Sequence, residues 1–119
     1  MFGNPFESPK SPQELIMKQI SSVIDRLHKL EEMESDAWRS SMEALTTAAG
    51  YERRAGDLSG AIPPSGDEYK EQHRDSVKKY ALDKKAAADA LADLANMLGD
   101  EQDGLKLEIQ ELYKDLRAF

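Results

Sequence analysis

The chain contains no cysteine among its 119 residues. This excludes disulfide bonds, a thiolate nucleophile and a zinc site of the cysteine type, and it fits any compartment. The chain also lacks an apolar run of about 18 residues and a leader in which basic residues precede apolar ones, so we expect neither a transmembrane span nor a signal peptide. These absences predict a cytoplasmic protein that does not bind membranes.

The chain has few basic residues relative to acidic ones. Its 23 acidic residues outnumber its 16 lysines and arginines, and the net charge is −7. A nonspecific nucleic-acid binder needs a net basic face to displace counterions from phosphates, so nucleic acid is disfavoured as a partner. The acidic excess keeps a small protein soluble. It would also suit a protein partner with a basic surface.

Glycine and proline are scarce outside the start of the chain, residues 50–66 and residues 99–104. The letters "SPQE" at 11–14 have the form of a helix-capping box with proline at the first helical position. Helical spacing of apolar residues follows as far as Gly50, which suits the position after a helix end. The letters "SGDE" at 65–68 repeat the cap for a second helix, which Gly99 would close before a third begins.

These signals for helix starts and helix ends predict an all-α chain. It has a flexible tail at 1–11 and one helical bundle domain at 12–119, with helices at about 12–49, 66–98 and 101–118 and a loop at 50–65. Apolar residues recur at alternating intervals of four and three, as in a coiled coil. On each helix they form a stripe, here called the seam, along which the helix packs on its neighbour. We therefore expect a long antiparallel helical hairpin, with the shorter third helix completing a three-helix bundle at one end.

The predicted hairpin has a calculable register. Folding the first two helices back across the loop pairs Ala48 with Gly66. That register gathers the polar residues of the two seams into one layer, whose members are Glu34, Ser41, His73, Tyr80 and Lys84. Such a layer is expected to hold the two helices in alignment, and the alternative is a small polar ligand bound within it.

The third helix is too short to cover the whole hairpin. At about 18 residues it spans about 27 Å, against about 57 Å for the first helix. Residues 35–82 then form a two-helix arm whose apolar side chains are covered by the loop or by another chain. We favour another chain, which is a protein partner or a second copy in a homo-oligomer. The predicted contact residues are Trp38, Met42, Leu45, Tyr51, Leu58 and Ile62.

A second hypothesis concerns anions. Arg53 and Arg54 stand beside flexible glycines and could hold a phosphate or carboxylate through bidentate hydrogen bonds. With His73 and Lys84, several such loops in an oligomer could surround one nucleotide. Alternatively, the two arginines pair with acids at the helix ends or oppose the dipole of the first helix.

Residues for catalysis or metal binding are not arranged in any known pattern. Asp25 and His28 form only half of a helical di-iron motif, and "GDEQDG" at 99–104 lacks the essential carboxylates of a calcium loop. There is no P-loop and no nucleophile elbow. We therefore expect no enzymatic activity, no catalytic residue, no metal and no cofactor.

The tail carries two short motifs. The letters "NPF" at 4–6 resemble the peptide that EH domains of eukaryotic endocytic adaptors bind, and Ser-Pro pairs at 8–9 and 11–12 are similar to proline-directed kinase sites. The resemblance covers only a few residues, and no function is taken from it. The whole sequence predicts a small helical interaction module, such as an adaptor, assembly factor or inhibitor, with an oligomeric binder of a small anionic ligand as the alternative.

Overall fold

The computed structural model of the protein describes residues 11–119, so the predicted tail and its "NPF" motif lie outside the described residues, as does the Ser-Pro pair at 8–9. The described chain forms two helices, α1 at Pro12–Gly60 and α2 at Glu68–Arg117. A turn at residues 61–67 joins them, and no strand occurs between residues 11 and 119. The prediction of an all-α chain is confirmed.

The start of α1 is the one that the sequence predicts. The Ser11 hydroxyl accepts a hydrogen bond from the backbone N–H of Glu14 at 3.2 Å, and its carbonyl accepts one from the N–H of Leu15 at 3.1 Å. Pro12 occupies the first helical position, where a missing N–H costs no intrahelical bond. Ser11 therefore caps the helix.

The start of α2 differs from the prediction by two residues. Asp67, and not Ser65, is the cap, because its carboxylate accepts a hydrogen bond from the N–H of Lys70 at 3.2 Å. Its carbonyl also accepts the first helical bond, from Glu71 at 2.9 Å. Gly66 precedes it with a φ of 86°, a conformation that L side chains rarely adopt. The glycine thus belongs to the turn and the aspartate to the helix.

The predicted helix ends at Gly50 and Gly99 are wrong, and a third helix forming a three-helix bundle is not supported among the described residues. Both α1 and α2 pass through these glycines without a break. An interior glycine costs only about 1 kcal/mol relative to alanine. The buried side of each helix continues beyond it at the same spacing, through Ala55 in α1 and through Gln102 and Leu105 in α2. Packing of this side outweighs the local preference of glycine.

The chain divides into two compact units. Unit 1 comprises the described residues up to Glu32 together with Leu98–Phe119, and unit 2 comprises Met33–Met97. The buried residues of unit 1 are mostly large and apolar: Ile20, Val23, Leu98 and Leu105, with Gln102 beside them. Those of unit 2 are mostly small: Ala37, Ser41, Ala48, Ala55, Val77, Ala81, Ala88 and Ala95. The two units therefore pack their helices with different kinds of side chain.

The predicted register is also wrong. The Ser41 hydroxyl donates a hydrogen bond to the carbonyl of Ala88 at 2.8 Å, whereas the prediction placed Ser41 opposite His73, 15 residues earlier. In unit 1 the Gln102 side-chain amide donates to the carbonyl of Leu30 at 3.3 Å. The prediction failed because it took glycines inside helices for helix ends. The turn that sets the register begins 11 residues later than expected, at residue 61.

Alanine in place of Gly50 or Gly104 is expected to raise the free energy of unfolding by about 0.5–1 kcal/mol. Both glycines lie inside helices, and an added Cβ would meet no atom within 4 Å. Gly66→Ala should instead lower it by about 1 kcal/mol or more, because of its positive φ. Thermal unfolding followed by circular dichroism measures all three. A lower melting temperature for Gly50→Ala would show that this glycine ends a helix after all, and one for Gly104→Ala would show that α2 is interrupted there.

Candidate interaction surface

Four large apolar side chains of α1 are exposed in unit 2, and three of them lie close together on the helix. Trp38, Met42 and Leu45 have 41%, 65% and 45% of their surface accessible. Their spacing of four and then three residues places them on one face of the helix. We call these three residues the Trp38 patch. The usual distribution of an amphipathic helix is reversed here, since large apolar groups face outward while Ala37 and Ser41 are buried.

The small residues buried in unit 2 explain this reversal. The distance between two packed helices depends on the side chains at their contact. Here the hydroxyl of Ser41 reaches the backbone carbonyl of Ala88 on the facing helix, and both residues are almost fully buried. A contact this close leaves no room for a large side chain at the positions of Ser41 and Ala88. The larger apolar residues of this part of α1 are therefore displaced to the outer surface.

An open groove lies further along unit 2, with a volume of about 450 Å³. Its lining residues are Glu52, Ala55, Gly56 and Ser59 of α1 and Lys78, Ala81 and Leu82 of α2. Ala55 and Ala81 are buried and make its floor, whereas Leu82 is exposed beside it. Glu52 also forms an ion pair with Lys85 across the two helices. We call this cavity the Ala55–Ala81 groove.

The Trp38 patch and the Ala55–Ala81 groove lie on the same side of unit 2. Trp38, Leu45, Glu52 and Ser59 follow one another at intervals of seven residues in α1. Residues at this spacing share a side of helices packed at a coiled-coil seam. Ala55 comes 17 residues after Trp38, which is about 25 Å along a helix. One face therefore carries a protruding aromatic side chain and, about 25 Å away, a recess with a floor of small residues.

The other predicted contact residues do not belong to the Trp38 patch. Tyr51 and Leu58 lie in α1 and not in a loop, and both are half-buried at the spacing of the seam. The ring of Tyr51 packs against that of Tyr80, with centroids 5.9 Å apart and planes inclined by 38°. Ile62 is half-buried in the turn. The structure thus brings together three of the six residues, and it places the rest in or beside the packed interior.

The polar layer predicted between the two helices is not assembled. Ser41 binds the carbonyl of Ala88, and Tyr80 packs on Tyr51, so neither lies opposite its predicted neighbour. The pairings of Ser41 with Ala88 and of Tyr80 with Tyr51 differ from the predicted ones because the predicted register was wrong.

The four residues of the anion hypothesis lie on the two helices and not in a loop. Arg53 and Arg54 lie within α1, where the prediction of a glycine-rich loop is wrong, and both are exposed. His73 and Lys84 are exposed on α2. None of the four lines the Ala55–Ala81 groove or either of two smaller grooves in unit 1. The anion hypothesis therefore stays a prediction.

Lys78, Leu82 and the alanines of the groove were missed by sequence reasoning. The available signal was the interval of seven residues from Ala48 to Ala55, which continues the seam past Gly50. Extending that seam would have placed residues 51–60 in a helix facing the start of α2. The groove was missed because all of the α1 residues that line it fall within residues 50–65, which were predicted to be a loop.

The Trp38 patch and the Ala55–Ala81 groove offer apolar contacts, with a few charged side chains at their edges. Within residues 11–119, no three histidine, aspartate or glutamate side chains are grouped so that they could hold a metal ion. Neither α1 nor α2 has a stretch apolar and long enough to traverse a lipid bilayer. The chain matches no protein-family model, no curated protein and no solved structure.

Proposed function

We propose that the protein is a non-enzymatic helical interaction module, an adaptor, assembly factor or inhibitor that binds a protein surface through the Trp38 patch. The observation that carries this proposal is the exposure of Trp38, Met42 and Leu45 on one face of α1. Tryptophan is enriched among the residues that dominate binding energy, because it buries a large area with few rotatable bonds. Methionine adapts its shape to an irregular partner.

The surroundings of the patch support the same function. Asp36 and Arg39 form an exposed ion pair at 3.4 Å beside Trp38, and Glu43 stands between the other two patch residues in sequence. Protein interfaces commonly combine an apolar centre with a polar, hydrated rim. An apolar cluster of this kind on a protein surface usually marks an association site. The exposed charges beside the patch therefore support the proposal.

Trp38→Ala is expected to weaken association by about thirtyfold or more, since a central aromatic contact is commonly worth about 2 kcal/mol or more. Sedimentation equilibrium measures self-association, and a photo-crosslinking residue in place of Leu45 captures any other partner. Tyr69→Ala is the matched control, because Tyr69 is also an aromatic residue of unit 2 and is 81% exposed. Unchanged association in Trp38→Ala, or an equal loss in Tyr69→Ala, would contradict the proposal.

A further inference from the structure

We propose that the partner of the Trp38 patch is a second copy of this chain. Two copies of unit 2 pack antiparallel about a twofold axis, and Trp38 of each copy inserts into the Ala55–Ala81 groove of the other. This inference rests on the proposed function, since it names the partner that the Trp38 patch binds. The supporting observation is that one face of unit 2 has both a projecting side chain, Trp38, and a recess, the Ala55–Ala81 groove.

A twofold interface must be self-complementary, because the same surface of both copies takes part. The Trp38 patch alone offers only projecting side chains. The groove supplies the matching recess, and it lies on the same side of unit 2 at intervals of seven residues from Trp38. Rotation about one axis then makes two equal insertions at once.

The axis would lie halfway between the projection and the recess. Trp38 and Ala55 are 17 residues apart in α1, so the midpoint falls near residues 46 and 47. Leu45 and Ala49 flank this midpoint on the side of the patch, and both are exposed. The centre of the interface would thus be apolar, with one large and one small side chain from each copy. That arrangement lets the two α1 helices approach each other closely.

The chemistry of the groove suits an indole ring. Its volume of about 450 Å³ falls within the range of cavities that hold small organic groups, about 300–1,000 Å³. Gly56 and the alanine floor let a flat ring lie close to the backbone, and Leu82 offers an apolar wall. Lys78 supplies a cation for the ring face. Glu52 supplies an acceptor for the indole N–H.

The charges of unit 2 favour the antiparallel arrangement. The part distant from the turn, residues 33–43 and 86–97, has five acidic residues and one basic residue. The part next to the turn, residues 44–85, has seven acidic and eight basic residues. An antiparallel pair places each acidic part against the slightly basic part of the other copy. A parallel pair would place the two acidic parts together, which disfavours that alternative.

The chain has a single tryptophan, so Trp38 itself reports the insertion. Its fluorescence emission should shift to shorter wavelength as protein concentration rises through the dimerisation range measured by sedimentation. Gly56→Gln, which places a side chain in the groove, should weaken dimerisation at least about tenfold and suppress the shift. Gly50→Gln is the matched control, because that glycine is also exposed in α1. It should change dimerisation by less than about twofold.

Crosslinking tests the direction of packing. The chain has no cysteine, so a single introduced cysteine can join only two copies. Ala49→Cys, near the proposed axis, should give a covalent dimer with a short bismaleimide. Ser59→Cys lies on the same side but far from the axis, and it should react only if the copies are parallel. Efficient crosslinking at Ser59→Cys, or none at Ala49→Cys, would overturn the antiparallel pair.

The two proposals fail in different ways. If the protein stays monomeric at all concentrations while Leu45 crosslinks to another protein in a Trp38-dependent manner, the second copy is overturned and the interaction function stands. If the protein dimerises equally well with Trp38→Ala, Gly56→Gln and the control, and Leu45 crosslinks to no other protein in a Trp38-dependent manner, both proposals are overturned. A dimer lost in Trp38→Ala but retained in Gly56→Gln would overturn the groove as the place of insertion.

Discussion

Leu105→Ala is expected to lower the free energy of unfolding by about 2–5 kcal/mol. Leu105 is one of the few large side chains buried in unit 1, together with Ile20, Val23 and Leu98. Truncation removes its apolar contacts and leaves a cavity that two helices close only in part. Since small domains are stable by about 5–15 kcal/mol, a loss of this size removes a large share of the total.

Urea unfolding measures the effect, and Leu107→Ala is its matched control. Leu107 is also a leucine of α2, two residues further along, but 63% of its surface is exposed. Its truncation should change the free energy of unfolding by no more than about 0.5 kcal/mol. Equal losses in the two variants would show that the buried side of α2 in unit 1 is assigned to the wrong residues.

The buried side of α1 was the part of the fold that could be predicted from the sequence, whereas His73, Tyr80 and Lys84, which were predicted to lie at the buried side of the second helix, are exposed. Intervals of four and three residues through Ile20 and Val23 identified the buried side of α1, and the serine and proline at its start identified the first residue of the helix. These signals are local, because each depends on residues within one or two turns of helix. Such local signals do not depend on how the rest of the chain folds.

The helix ends and the register could not be predicted in the same way. Glycine at residue 50 or 99 lowers helix stability by about 1 kcal/mol, and a local interpretation treats that preference as a stop. Continuation of the helix buries Ala55 beyond the first glycine and Leu105 beyond the second. Such packing depends on the facing helix, so it is a tertiary effect. Once the ends were misplaced, every pairing between the helices shifted with them.

The Trp38 patch was predicted for an incomplete reason. The expected cause was a short third helix that left the arm uncovered, but α2 has no break. The patch is exposed because the seam of unit 2 is made of small residues, as the contact of Ser41 with Ala88 illustrates. The alanine-rich stretch of α2 indicates close helix packing, but which alanines face α1 depends on the register, and the predicted register was wrong.

Ala88→Leu tests this account of the seam, and it is expected to lower the free energy of unfolding by about 1–3 kcal/mol. Leucine is more apolar than alanine and nearly as good a helix former, so neither property predicts a loss. The loss is expected because Ala88 is 1% exposed and its carbonyl accepts the hydrogen bond from Ser41 at 2.8 Å. Three further carbon atoms at this contact would force the helices apart and break that bond.

Ala90→Leu is the control, since Ala90 is exposed on the same helix two residues away. Its free energy of unfolding should stay within about 0.5 kcal/mol of the parent, and urea unfolding compares the two. If Ala88→Leu instead stabilises the protein, the seam has room for large side chains. The outward position of Trp38 would then need a cause other than close helix packing.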